Sequence, residues 1–168
     1  VRLTYPTHQE VQRIISTTTT TDVPDLRPVF SEAEAADKVI AFRHLVRDVL
    51  VAPNIEEYTA ALIHATLPSG AQYLNQNDSA PVTLPKDDLV NRYVSFGSSP
   101  RGGQTLMLGA KVAALLDGRA NVSYEDVDRV MIPALNHRLV LNFAAEAENV
   151  DPAAIIERIL QSAQQLKR

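Results

Sequence analysis

The sequence predicts an all-α protein, a helical bundle with at most a minor β element. Three observations lead there. Apolar residues recur at three- and four-residue spacing in six separate segments, the period of a helix face. Each of those segments opens on Thr7, Ser31, Asn54, Ser99, Ser123 or Asp151, residue types whose side chains cap helix N-termini. The one run resembling a strand, Tyr93-Val94-Ser95-Phe96, is four residues long.

Thr7 with Glu10 forms a capping box, and Val11, Ile14 and Ile15 follow at helical spacing. Ser16, the threonines from Thr17 to Thr21 and then Asp22-Val23-Pro24 suit neither a stable helix nor a core strand, so residues 16–30 read as a loop. Ser31 and Glu34 make a second box, and Val39, Phe42, Val46, Val49 and Leu50 share one face of the next helix. Pro53 interrupts, Asn54 and Glu57 repeat the cap pattern, and Ile55, Tyr58, Leu62 and Ala65 define a third face that ends before Pro68-Ser69-Gly70. Residues 68–85, rich in Gly, Asn and Pro, read as a long loop more mobile than the helices around it. Ser99 and Pro100 open a helix whose stretch from Leu106 to Leu116 is apolar apart from Lys111, which places it mid-bundle, and Asp117-Gly118 stops it. Ser123 and Asp126 open another, with Val127, Val130 and Met131 inward before Pro133. Asp151-Pro152 begins a last amphipathic helix through Ile155, Ile156, Ile159 and Leu160.

Composition narrows the function. At 168 residues and 45% apolar, a single core without staples is physically sufficient. The lack of Cys excludes disulfides, thiolate zinc sites, iron–sulfur clusters and cysteine nucleophiles, and leads us to expect a cytoplasmic protein. No apolar run reaches the roughly 20 residues of a membrane helix. A net charge of −4 argues against a broad phosphate-backbone surface but leaves room for one basic spot. Since the first residue is Val and not Met, we expect a processed or excised chain, with absent motifs upstream.

Most catalytic patterns fail. His8, His44, His64 and His137 lie in four segments with no i, i+4 pair, so no metal site is expected. Gly97-Ser98-Ser99-Pro100-Arg101 starts like a nucleophile elbow but has Arg101 where the closing Gly belongs. From Gly103 to Lys111 the order needed for a phosphate loop is missing. A helix-turn-helix around Asp117-Gly118-Arg119 would present Glu125, Asp126 and Asp128 to DNA phosphates, which would repel them. What remains is Arg101. In a helix's first turn it faces the positive end of the macrodipole, and Gly102 and Gly103 beside it promise bare amide donors. Helix end, backbone and guanidinium together suit a phosphate. An arginine reaching to a carboxylate on a neighbouring helix explains the same residue equally well, and both readings stand open on physics alone.

Four segments carry a resemblance: Gly97-Ser98-Ser99-Pro100-Arg101-Gly102-Gly103, Leu115-Leu116-Asp117-Gly118-Arg119, Val122-Ser123-Tyr124-Glu125-Asp126-Val127 and His137-Arg138-Leu139. In order and spacing they resemble the C-terminal lid of MoxR-type AAA+ ATPases, and Tyr5-Pro6-Thr7 with Glu10 is similar to that family's junction between core and lid. The resemblance implies residues 1–15 as junction and first helix, 16–92 as the N-terminal helical part with long loops, and 93–168 as the C-terminal part with the Ser-Pro-Arg motif. It implies Arg101 as the sensor-2 residue that reaches nucleotide phosphates, on a turn formed by Ser99, Pro100, Gly102 and Gly103. ATP and Mg2+ would then be held by an upstream core, with no tight binding and no hydrolysis by this chain alone. Implied partners are that core, further copies in a ring, and a protein with a von Willebrand A domain, the whole acting as a chaperone-like remodeller. Nucleic acid and membrane are not expected partners. The rival readings are a helical protein-interaction module without a nucleotide role and, behind it, the helix-turn-helix DNA binder.

Overall fold

The computed structural model describes residues 5–21, 25–70, 83–85 and 87–167. Most of the loop expected at 68–85, and with it the mobility expected there, lies outside the described residues. The chain divides into two compact units, Val1–Phe42 and Arg43–Arg168.

The first unit begins with helix α1, His8–Thr18, closed by the predicted box: Thr7 N donates to Glu10 Oε2 at 2.7 Å and Glu10 N to Thr7 Oγ1 at 3.3 Å. The helix does not stop at Ser16 as expected. The hydroxyls of Thr17, Thr18 and Thr19 donate to the carbonyls of Arg13, Ile14 and Ile15 at 2.8, 2.7 and 2.7 Å, which partners the acceptors at the helix end and carries it one turn further. No residue of α1 is buried. Helix α2, Glu32–Asp48, follows the Ser31 hydroxyl, which bonds Glu34 Oε2 at 2.6 Å. Phe30 and Phe42 meet at 6.3 Å, with the Lys38 ammonium 4.5 Å from the Phe30 ring centre. The face predicted to be the best apolar face of the first half is not buried: Val39 and Phe42 are about half exposed and Leu50 is 68% exposed. Only Val49, just past the end of α2, is buried among those five residues.

The second unit holds one core. Helix α3, Pro53–Ala65, starts one residue before its expected cap, because Pro53 suits the first helical position and Ala52 takes the cap position. Asn54 instead donates from Nδ2 to Tyr124 Oη at 2.8 Å. A helix that periodicity missed, α4, Asp88–Tyr93, is capped by the Asp87 side chain and leads into strand β1, Val94–Phe96. Helix α5, Pro100–Leu116, ends in a Schellman turn, with Gly118 N bonded to Leu115 O and Arg119 N to Ala114 O, both at 2.9 Å, and Gly118 at φ 73°. Helix α6, Tyr124–Leu135, runs through Pro133 where a stop was expected, since burial of Ala134 and Leu135 outweighs the lost backbone bond. Strand β2, Val140–Leu141, pairs antiparallel with β1, and α7, Phe143–Ala147, follows an Asn142 cap that periodicity also missed. Asp151 caps α8, Pro152–Ala163, as expected.

Helix α5 packs against α6 and α3, and α8 closes the bundle against both. Leu62, Val90, Leu106, Val127, Met131, Leu135, Ile155 and Ile156 have essentially no accessible surface. The all-α prediction holds, with the two-stranded ribbon as its minor β element. Helix α5 is central on one side only: Leu108, Val112 and Leu116 are 42%, 40% and 77% exposed, so it is not enclosed all round. Among the described residues no helix is long and apolar enough to cross a membrane.

Candidate functional site

The Ser-Pro-Arg turn rests on the end of α3. There the fully buried Thr66 donates its hydroxyl to Ile63 O at 2.6 Å and accepts the Ser98 N–H at 2.9 Å. Gly97 passes so near that a Cβ on it would stand 2.4 Å from the Thr66 carbonyl oxygen. Pro100, at the first helical position, has no N–H to leave unpaired. Ser99 sits at the cap position but its side chain makes no capping bond.

Gly102 does not offer the bare amide expected of it. Gly102 is buried, a Cβ on it would lie 1.9 Å from Ser98 Oγ, and its N–H already donates to Ser99 O at 2.8 Å. Its amide is therefore spent inside the turn, and the missing side chain lets α5 seat against Ser98. Gly103 faces only ordinary contact, 3.4 Å from Ile63 Cγ1. A prediction follows from the contrast. Gly97→Ala should destabilise the chain by about 1–3 kcal/mol, since backbone must move, whereas Gly103→Ala should stabilise it by up to about 1 kcal/mol through helix propensity. Urea unfolding of both variants checks this, and equal midpoints would contradict it.

Arg101 is carried on this pinned turn, exposed, with its carbonyl accepting the Thr105 hydroxyl at 2.9 Å. Its guanidinium has no hydrogen bond or ion pair among the described residues. The contrast with its neighbours is plain: Arg92 pairs with Glu148, Arg129 with Asp117 and Arg158 with Asp87. Arg138, from the last resembling segment, donates to Ala134 O at 3.1 Å and to Thr105 Oγ1 at 3.2 Å. Among the described residues no cluster of His, Asp and Glu fit for a metal is found.

The middle two segments form a structural pin. Arg119 at the end of α5 reaches both oxygens of Asp126 at 2.6 Å, and Asp126 also accepts the Ser123 N–H at 2.8 Å. Asp126 is 2% exposed, and the Arg119 guanidinium holds its carboxyl below the usual carboxylate range. Asp128 accepts the Tyr58 hydroxyl at 2.6 Å and pairs with Lys167. Two of the carboxylates that open this helix, Asp126 and Asp128, are thus tied into the fold. Sequence reasoning missed Thr66 and Ser98 as supports of the turn. Neither carries a signal in a single sequence, because each acts through a partner 32 residues away.

Comparison with known proteins places this geometry. The family model for the AAA lid domain matches residues 86–159, from just before α4 into α8. The chain is 29% identical over 163 residues to Chaperone MoxR1 of Mycobacterium tuberculosis, covering 96% of this chain and 38% of that protein. It is 41% identical over 66 residues to Protein MoxR of Paracoccus denitrificans, covering 38% of this chain and 20% of that one. A crystal structure of a "putative ATPase" from Cytophaga hutchinsonii superposes with a TM-score of 0.71 at 27% identity, over 95% of this chain and 44% of that one. The chain spans less than half the length of these proteins. A helical bundle with its Ser-Pro-Arg turn seated on α3, matched by the AAA lid domain model over residues 86–159 and similar along nearly its whole length to a MoxR-named chaperone, is consistent with the C-terminal lid of a MoxR-family AAA+ ATPase.

Proposed function

We propose that this lid closes over ATP bound to a core on the same polypeptide, with Arg101 contacting the phosphates, and that closure couples hydrolysis to chaperone-like remodelling of other proteins. The observation that carries the reading is the exposed Arg101 guanidinium, without a partner among the described residues, in the first turn of a 17-residue helix on a turn pinned by Thr66, Gly97 and Gly102. Such a charge lies at the unfavourable end of the helix dipole, and a phosphate would reverse the sign of that interaction. The rival reading as a pure interaction module needed Arg101 to hold a carboxylate, and among the described residues none lies against it.

The Arg101 guanidinium and the helix end beside it suit one edge of a triphosphate. In this reading ATP and Mg2+ are held by the core, and this chain adds charge and closure. A ring of copies, and a partner with a von Willebrand A domain, follow from the family and form part of the proposal. Hydrogen exchange in the full-length polypeptide tests it. Adding Mg2+ and a non-hydrolysable ATP analogue should slow exchange at residues 97–103 by at least about tenfold, because nucleotide binding to one state suppresses opening in proportion to its occupancy. Exchange that is the same with and without nucleotide would overturn the reading.

A further inference from the structure

Outside the Ser-Pro-Arg turn, an open groove of about 540 Å3 runs between the end of α2 and the outer side of α5. Arg43, Val46 and Arg47 line it from α2, and Thr105, Leu108 and Val112 from α5. None of residues 97–103 lines it. Its floor is aliphatic, and Leu108 and Val112 stay about two-fifths exposed, so nothing in the described residues closes over it.

Its charge is one-sided. The charged residues lining it are both arginines, and neither side chain has a hydrogen bond or ion pair among the described residues. Lys111 brings a third cation alongside by donating to the Arg47 carbonyl at 2.8 Å, and Arg138 a fourth by donating to Thr105 Oγ1 at 3.2 Å. Arg43 and Arg47 stand four residues apart on one helix, where like charges repel. This concentration occurs in a chain of net charge −4, whose Arg92, Arg119, Arg129 and Arg158 all rest on carboxylates.

We propose that the α2–α5 groove docks an acidic, amphipathic segment of a partner protein. Its apolar face would lie on Val46, Leu108 and Val112, and its carboxylates would take the paired forks of Arg43 and Arg47. A nucleic acid fits less well, because no aromatic ring lines the groove for a base to stack on.

The test uses the 168-residue chain and a fluorescent synthetic helix of about 18 residues with Glu on one face and Leu on the other, read by anisotropy. Binding should saturate and weaken as salt rises. Arg43→Glu with Arg47→Glu should lower affinity at least about tenfold. The milder pair Arg43→Gln with Arg47→Gln should lower it less and keep the test valid if charge reversal disturbs folding, which circular dichroism reports. Arg13→Glu, outside the groove, should change nothing. Equal affinity in the double variants, or equal binding of a peptide with Lys in place of Glu, overturns the proposal. So does tighter binding of a single-stranded oligonucleotide with the same arginine dependence, or self-association of the chain that the double variants abolish.

Discussion

In the full-length polypeptide, Arg101→Ala should slow ATP hydrolysis by at least about tenfold while moving the lid's melting temperature by no more than about 2 °C. The first half follows from charge: an arginine on the phosphates stabilises the negative charge that spreads over the transferring group, and arginine fingers supply about 10³–10⁵ in rate by that means. The bound is set lower because a lid arginine also acts through nucleotide affinity and closure. The second half follows from the structure, in which the guanidinium is exposed and has no partner among the described residues, so its removal breaks no protein contact there. Surface substitutions of that kind stay within about 0.5 kcal/mol. Arg101→Lys should recover part of the rate, since it keeps the charge and loses the fork. Steady-state hydrolysis with thermal unfolding of the same samples decides the matter. Normal hydrolysis with a much lower melting temperature would make Arg101 a fold-stabilising residue and end the nucleotide reading.

The largest stability effect should come from Asp126→Ala, at about 3 kcal/mol. Asp126 is 2% exposed, accepts two short bonds from Arg119 and one from Ser123 N, and so joins the end of α5 to the start of α6. Breaking a buried pair typically costs about 3–5 kcal/mol, and the low end applies because the stranded Arg119, unlike a buried ion, can turn to water. Acid should reproduce the loss. The folded carboxyl titrates below its unfolded value, chiefly because of the Arg119 bonds, so its contribution is present above about pH 4 and disappears as pH falls through the lower, folded value. The stability difference between the native chain and Asp126→Ala should therefore be full near neutral pH and shrink below about pH 4. Urea midpoints across that range measure it. A difference that is constant down to strong acid would show that packing, not the ion pair, carries the effect.

The six principal helices were legible because each has a local cause: apolar spacing along one face, joined by a capping side chain at the start of α1 and α8 and by a glycine stop at the end of α5. Helices α4 and α7 were not legible. At six and five residues they are too short to show a period, and they form around Asp87 and Asn142 caps beside the β1–β2 ribbon, a pairing between residues some 45 positions apart. The end of α1 and the Pro133 turn of α6 were misjudged for a related reason. Local propensity disfavours both, and hydroxyl bonds in one case and burial of Leu135 in the other prevail.

Arg101 stood out in the sequence because a positive charge in a helix's first turn opposes the dipole whatever the tertiary fold. Whether that charge was free or held by a carboxylate depends on which side chains the bundle brings beside it, and spacing along the chain carries no such information. The same holds for the glycines: their presence in the turn was readable, but their use for close approach to Thr66 and Ser98 arises only where α5 meets the end of α3. The exposed face of α2 shows the limit most clearly. Periodicity marks a face as apolar from Val39 to Leu50, and burial is then granted or withheld by neighbours distant in sequence, which here cover Val49 and leave Phe42 half open.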